Sequence, residues 1–168
     1  MVNIYFDSDH AHDKITGRSI SGVVVYIGST PIIWRSKRQG SVQTSTYGAE
    51  LNSMRLAVEE AITIRYMLIL GIKVSEPSNT IGDNEATILC ATNPETGLKK
   101  KNVALSYHFI REQAAIKSTN PCKVGSKNNV ADLLTKPLER GAFMQHTRKL
   151  LSLGTNGNTR TEDLEQNS

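Results

Sequence analysis

The chain has 168 residues, 38% hydrophobic and 5% aromatic, a size that predicts one domain able to bury a core without disulfide staples. Its longest apolar runs, 22–27 and 66–72, are too short to span a bilayer as helices, and no basic-then-apolar leader follows Met1, which argues against a membrane or secreted protein. The 20 Lys and Arg against 16 Asp and Glu give a net charge of +4, a balance that permits a nucleic-acid partner without requiring one.

Residues 4–9 (I-Y-F-D-S-D) read as a strand covered on both faces that runs into carboxylates. Residues 10–19 are polar and predict a turn. Residues 20–28 (I-S-G-V-V-V-Y-I-G) are β-branched and predict a second strand. After a tight turn at Ser29, Thr30 and Pro31, residues 32–38 give a third, which contains the single tryptophan, Trp34. Short connections make these three an antiparallel meander, followed by a polar loop at 39–43.

Ser45 or Thr46 can cap a helix that begins near Tyr47 and ends at Gly71, with Leu51, Met54, Val58, Ala61, Ile62 and Ile69 at helical spacing. Residues 78–82 predict a weak strand leading into Asp83, and 84–91 a short helix stopped before Pro94. Val103, Tyr107, Ile110 and Ala114 predict another helix to about Lys117. Residues 121–124 suit a short strand that Pro121 confines to its start or to a sheet edge. Residues 130–135 are helical in pattern and broken by Pro137, and Phe143, Met144, Thr147, Leu150 and Leu151 mark a last amphipathic helix. From Gly154 the composition turns polar and Gly/Asn-rich, so the expected layout is a domain at 1–153 and a disordered tail at 154–168. The order predicts an α/β fold, a mixed sheet with helices on its faces.

Four acids stand at comparable places in this layout. Asp7 ends the first strand, Glu50 lies in the first turn of the long helix, Asp83 follows the fourth strand, and Asp132 comes early in a helix after the fifth. A parallel pairing of the first and fourth strands brings Asp7 and Asp83 side by side, with Glu50 pointing at them from the helix. Crowded carboxylates repel and cost several kcal/mol each when buried unpaired, a cost that a divalent cation removes. Hard oxygen ligands select Mg²⁺ or Mn²⁺, and two such ions about 4 Å apart can activate a water and stabilise the leaving oxygen of a phosphodiester. Each acid also has a plainer role open to it. Glu50 can complement the helix dipole, Asp83 can cap the next helix, Asp132 can be a surface acid, and Asp7 can open a turn. Asp9 would share Asp7's side of a continuing strand, and Asp13 reads as a turn residue.

The ordered set of segments resembles the ribonuclease H domain of copia-type LTR retrotransposon polyproteins, where that domain follows reverse transcriptase. The resemblance runs from about Asn3 to Leu153. It is carried by I-Y-F-D-S-D-H-A (4–11), S-I-S-G-V-V-V-Y-I-G (19–28), P-I-I-W-R-S-K-R-Q (31–39), S-T-Y-G-A-E-L (45–51), I-G-D-N-E-A (81–86), Y-H-F-I-R-E (107–112) and N-V-A-D-L-L-T-K-P-L (129–138). It implies a ribonuclease H-like fold: a five-stranded mixed sheet, three antiparallel strands then two parallel, with helices on both faces. It also implies Asp7, Glu50, Asp83 and Asp132 as catalytic, metal-holding residues.

The implied activity is two-metal-ion cutting of the RNA strand in RNA–DNA hybrids, with Mg²⁺ as cofactor and Mn²⁺ as substitute, leaving a 3′-hydroxyl and a 5′-phosphate. Implied partners are the hybrid and the reverse transcriptase domain of the same polyprotein, with no membrane. Arg35, Lys37 and Arg38, and Lys99, Lys100 and Lys101, are then candidates for backbone contacts, with a solvated surface as the other reading.

The sequence departs from the family where Tyr47 and Gly48 replace a common Thr-Glu, where Asn102 and Ala104 stand for a histidine and an acid, and in a loop, 124–131, without histidine. His10 and His12 read as surface-turn residues and His108 as structural. The alternative class is a catalytically silent scaffold or hybrid-binding module with the same fold, tethered to reverse transcriptase. An integrase- or exonuclease-like site on this fold ranks last, since it lacks the A-D-L-L-T-K-P-L segment. Cys90 and Cys122 show neither metal spacing nor a disulfide framework, consistent with a reducing compartment. The expected location is a cytoplasmic retroelement particle, with the nucleus as the other option.

Overall fold

The computed structural model of the chain describes residues 1–71, 74–98 and 100–151. The tail expected at 154–168 and the candidate Lys99 lie outside the described residues. Five strands form one sheet in the order β3-β2-β1-β4-β5. They are β1 (Val2–Asp9), β2 (Arg18–Ile27), β3 (Thr30–Val42), β4 (Ser78–Gly82) and β5 (Thr119–Lys123). β1, β2 and β3 pair antiparallel, while β4 pairs parallel with both β1 and β5, so the expected mixed sheet is present.

Alternation along the strands separates two cores. Ile4, Phe6, Val23 and Val25 face α1 (Thr46–Ile69), α2 (Glu85–Thr92) and α3 (Ala104–Ala115). Val24 and Tyr26 face the short 3₁₀ turn Val130–Leu134, with Leu150 of α4 (Arg140–Leu151) against the same cluster. Phe6 is wholly buried, worth roughly 1.5–3 kcal/mol. A Cβ on Gly82 would fall 2.4 Å from its ring, so the residue before Asp83 has to be a glycine for Phe6 to lie across the end of β4. Among the described residues no helix is long and apolar enough to cross a membrane.

Several expectations change. β3 does not stop at 38 but continues to Val42, because Gln39 is not a loop residue. Its buried amide nitrogen donates to Ser21 Oγ and to the Ala49 carbonyl, both at 2.9 Å, so β2 and α1 hold a polar side chain inside the sheet. Ser45 caps α1, its hydroxyl accepting from Gly48 N at 3.2 Å. Ile69 has helical spacing but is exposed, as α1 outruns the sheet it covers. The helical segment expected at 130–135 is a 3₁₀ turn, Val130–Leu134, with Thr135 as its C-cap. Pro121 pairs with Thr80 inside β5, which is tolerated because β5 is an edge strand.

Candidate metal and nucleic-acid site

The acids meet where the parallel strands end. Asn3, Ile4 and Tyr5 of β1 pair with Asn79, Thr80 and Ile81 of β4, and continuing that register sets Asp7 beside Asp83. Carboxyl ends of adjacent parallel strands are where open α/β sheets present ligand-binding groups. Ligand oxygens of Asp7, Asp83 and Asp132 all lie within 4.8 Å of one another. Asp7 and Asp132 are buried and Asp83 is half-buried.

Asp132 comes from the far side of the sheet, and a glycine makes room for it. Gly22 is the β2 partner of Asp7, and a Cβ there would fall 2.8 Å from the Ala131 carbonyl oxygen and from Thr135 Cγ2. Without that side chain the 3₁₀ turn lies directly on β2. Fully buried Asn129 ties the turn down, its amide donating to the Phe6 carbonyl at 2.9 Å and its oxygen accepting from Ala131 N at 3.2 Å. The Thr135 hydroxyl donates to Asp7 Oδ2, and Lys136 Nζ stands 3.1 Å from Asp132 Oδ2 and 3.7 Å from Asp7 Oδ2.

Glu50 is the fifth residue of α1 and there is no acid in the first turn, which corrects its expected position and removes the helix-dipole role. It is buried, and its Oε1 accepts from Ser8 N at 3.3 Å, next to Asp7 but outside the group of three. Asp83 does not cap α2. Asn84 does, accepting from Thr87 N at 3.2 Å, which leaves the Asp83 carboxylate to the cluster. Asp9 shares Asp7's side of β1, as expected of a continuing strand, but pairs with His12 Nδ1 at 2.6 Å. Asp13 is the turn residue it reads as. Its carboxylate accepts from Thr16 Oγ1 and from the Thr16 and Ile15 amides, and these bonds lower its pKa to about 2.

The cluster stores electrostatic cost. Burial, then the nearby Asp7 charge, raises Glu50 to about 8. Burial, then Asp7, raises Asp132 to about 6 against the opposing pull of Lys136. Burial raises Asp7 as well, although Thr135 and Lys136 offset part of the effect. Of the oxygens of these four acids, Glu50 Oε2 and Asp132 Oδ1 are buried without a hydrogen-bond partner. Orphaned, hard, anionic oxygens that converge in this way fit a divalent cation and no neutral ligand as well.

The basic candidates are placed by strand register. Cross-strand rows run Phe6–Val23–Arg35, Ser8–Ser21–Lys37 and Asp9–Ile20–Arg38, so β3 carries its cations about 10 Å sideways from the acidic end of β1. Arg35 pairs with Glu60 at 2.6 Å and Arg38 with Asp13 at 3.2 Å. Lys37 and Lys101 are exposed and make no ion pair among the described residues, while Lys100 Nζ donates to Thr44 Oγ1 at 3.3 Å. His108 is exposed and meets the Tyr107 ring edge-on. Sequence reasoning missed Thr135, Lys136 and His146. The first two stand three and four residues after Asp132, a helical spacing that was the available signal. His146 is buried on α4 and held below its ordinary pKa by burial, then by Lys149 and Lys136; the sequence carries no comparable signal for it.

No family model matches the chain. It is 40% identical over 151 residues to the retrovirus-related Pol polyprotein of transposon RE2 from Arabidopsis thaliana, 38% to that of RE1 from the same plant, and 30% over 140 residues to that of TNT 1-94 from Nicotiana tabacum. These matches cover 83–89% of this chain, which spans only 10% of each relative. Among solved structures, the N-terminal ribonuclease H domain of a Mycobacterium tuberculosis protein superposes with a TM-score of 0.61 at 17% identity, covering 88% of this chain and 96% of that one. LC11-RNase H1 in complex with an RNA/DNA hybrid gives 0.61 at 16% identity, over 80% of this chain and 94% of that one. The protease-reverse transcriptase of prototype foamy virus gives 0.53 at 13% identity, over 91% of this chain and 21% of that one. Over most of its length the chain is therefore 30–40% identical to one stretch of the retrovirus-related Pol polyproteins of transposons, and it has the ribonuclease H fold.

Proposed function

We propose that this chain is the ribonuclease H domain of a copia-type retroelement polyprotein, an endonuclease that cuts the RNA strand of RNA–DNA hybrids. The observation that carries the reading is the convergence of Asp7, Asp83 and Asp132 within 4.8 Å at the ends of β1 and β4, with buried Glu50 beside them. The likeness to a ribonuclease H crystallised with a hybrid, and the polyprotein relatives, support it.

Asp7, Asp83, Asp132 and Glu50 would hold Mg²⁺, with Mn²⁺ as substitute. When bound, divalent cations supply Lewis acidity that activates a water and offsets charge on the leaving oxygen. The rest falls to the chain's own residues. Asn129 and Thr135 fix the 3₁₀ turn and Asp7 relative to each other, so the oxygens are in place before metal arrives. Ser8 N holds Glu50 toward the cluster through Oε1 and leaves Oε2 free to ligate. Lys37, Arg38, Lys100 and Lys101 would meet hybrid phosphates, a sequence-independent and salt-sensitive contact. Reading RNA in the hybrid requires contact with 2′-hydroxyls across its shallow groove. The reverse transcriptase of the same polyprotein is the partner that would deliver the hybrid, in keeping with the short span this chain occupies in its relatives.

The test is an RNA-labelled hybrid incubated with Mg²⁺ or Mn²⁺ and with the parent or Asp83→Asn protein. The parent cuts the RNA and the variant loses cutting. Absence of cutting by the parent with either ion favours the silent-scaffold alternative, and equal cutting by both proteins removes Asp83 from the site.

A further inference from the structure

One cation already belongs to the acidic cluster. Lys136 Nζ lies 3.1 Å from Asp132 Oδ2 and 3.7 Å from Asp7 Oδ2, bridging two of the three clustered carboxylates. Its backbone delivers it there. Thr135 N and Lys136 N both donate to the Asp132 carbonyl, at 3.3 and 3.4 Å, and the Thr135 hydroxyl donates to Asp7. A single turn thus presents a carboxylate, a hydroxyl and an ammonium to the same point. The other described lysine and arginine ion pairs, Arg35–Glu60, Arg38–Asp13, Arg55–Glu59 and Lys123–Glu85, each engage one acid rather than a cluster.

We propose that Lys136 is a tethered counter-ion that holds the cluster together in the metal-free protein and competes with the divalent cation for Asp7 and Asp132. The proposal rests on the reading of the cluster as a metal site. A divalent cation held by Asp7 and Asp132 would bring its double charge close to the ammonium that already contacts both carboxylates, and like charges repel strongly at such range. The two cannot share these oxygens. The Lys136 side chain is 39% exposed and flexible, so it has solvent to move into. The fold thereby tolerates its own acids before metal arrives, and the metal binds more weakly than the bare carboxylates would allow.

Calorimetric titration with Mn²⁺ alone, on the parent, Lys136→Met and Lys136→Arg, tests this. Methionine keeps an apolar stem of similar length and removes the charge; arginine keeps the charge. Lys136→Met should bind Mn²⁺ about tenfold more tightly or better, while Lys136→Arg stays within about threefold of the parent. In melting experiments Lys136→Met should unfold below the parent without metal and recover most of the difference when Mn²⁺ is added. Equal or weaker Mn²⁺ binding by Lys136→Met overturns the counter-ion role and leaves the metal reading standing. Binding by none of the three proteins removes the metal reading and this proposal together. Binding by Lys136→Met but not by the parent supports both.

Discussion

The acidic cluster and the basic strand share rows of one sheet but differ in what they ask of the fold. The acids converge from β1, α1, the end of β4 and the 3₁₀ turn; three of the four are buried, and two of their oxygens lack a partner. The basic residues of β3, one of the sheet's two edge strands, are all exposed, with Arg35 and Arg38 in ion pairs. The more exposed of the two, Arg38–Asp13, contributes little to stability, while Glu60 in the other is buried. Burying like charges side by side costs several kcal/mol, a cost that Lys136 offsets in part and that a divalent cation would offset further. Energetics therefore set the acids apart as the candidate site, whereas only position marks the cations.

The largest expected effect separates the two regions directly. Asp7→Asn should lower hybrid cutting about a thousandfold, the loss of roughly 4 kcal/mol of charge stabilisation at the reacting phosphate. Lys37→Ala should change cutting by only a few fold. A comparable loss in both would erase the distinction. Next comes Gly22→Ala. The added methyl meets the Ala131 carbonyl oxygen at 2.8 Å, which is backbone and cannot swing aside. Overpacking of this kind costs about 1–3 kcal/mol and should shift Asp132 away from Asp7, read as lower melting temperature and lower activity together.

Glu50→Gln should have the opposite sign on stability. It removes an ionisable group that burial raises to about 8, so the metal-free protein at pH 8.5 should melt a few degrees higher while metal binding weakens. A drop in melting temperature would mean that the Ser8–Glu50 bond outweighs the burial of charge. The smallest effect sharpens the other side of the comparison. Replacing Lys37 or Lys101 by Ala should lower the salt-dependence slope of hybrid binding by about 1 each and leave stability unchanged. No change in slope would return these residues to a solvated surface.

Much of this arrangement is legible in the sequence, and what is not has physical causes. The strand at 78–82 matches β4 residue for residue, because turn-forming residues bound it and Asp83 follows at once. The placing of Asp7 beside Asp83 needs only the parallel pairing that the element order suggests. β3 reads four residues too short at its C-terminal end because the burial of Gln39 depends on Ser21 and Ala49, far away in sequence. Asp83 reads as a possible cap because Asn84 is equally able to cap, and only the geometry chooses. The partners that occupy Arg35 and Arg38, Glu60 and Asp13, come from other elements and leave no local mark. Lys136 was visible inside T-K-P-L, yet its reach across to Asp7 depends on Gly22 letting the turn lie flat on β2.

The melting temperature of the parent from pH 5 to 8.5, with and without Mn²⁺, tests the central claim most directly. Glu50, Asp132 and Asp7 all hold their protons more tightly when folded than their ordinary values allow. Through these three acids the folded protein binds more protons than the unfolded chain between those ordinary values and about pH 8, with His146 opposing them below its ordinary value. Its metal-free stability should be greatest at the acid end of that window and fall as pH rises through it. Mn²⁺ binds the ionised carboxylates, so its stabilisation should grow with pH and flatten or reverse the fall. A melting temperature that holds level or rises with pH, and that Mn²⁺ leaves unchanged at pH 8.5, would contradict the account of Asp7, Glu50, Asp83 and Asp132 as a cation site.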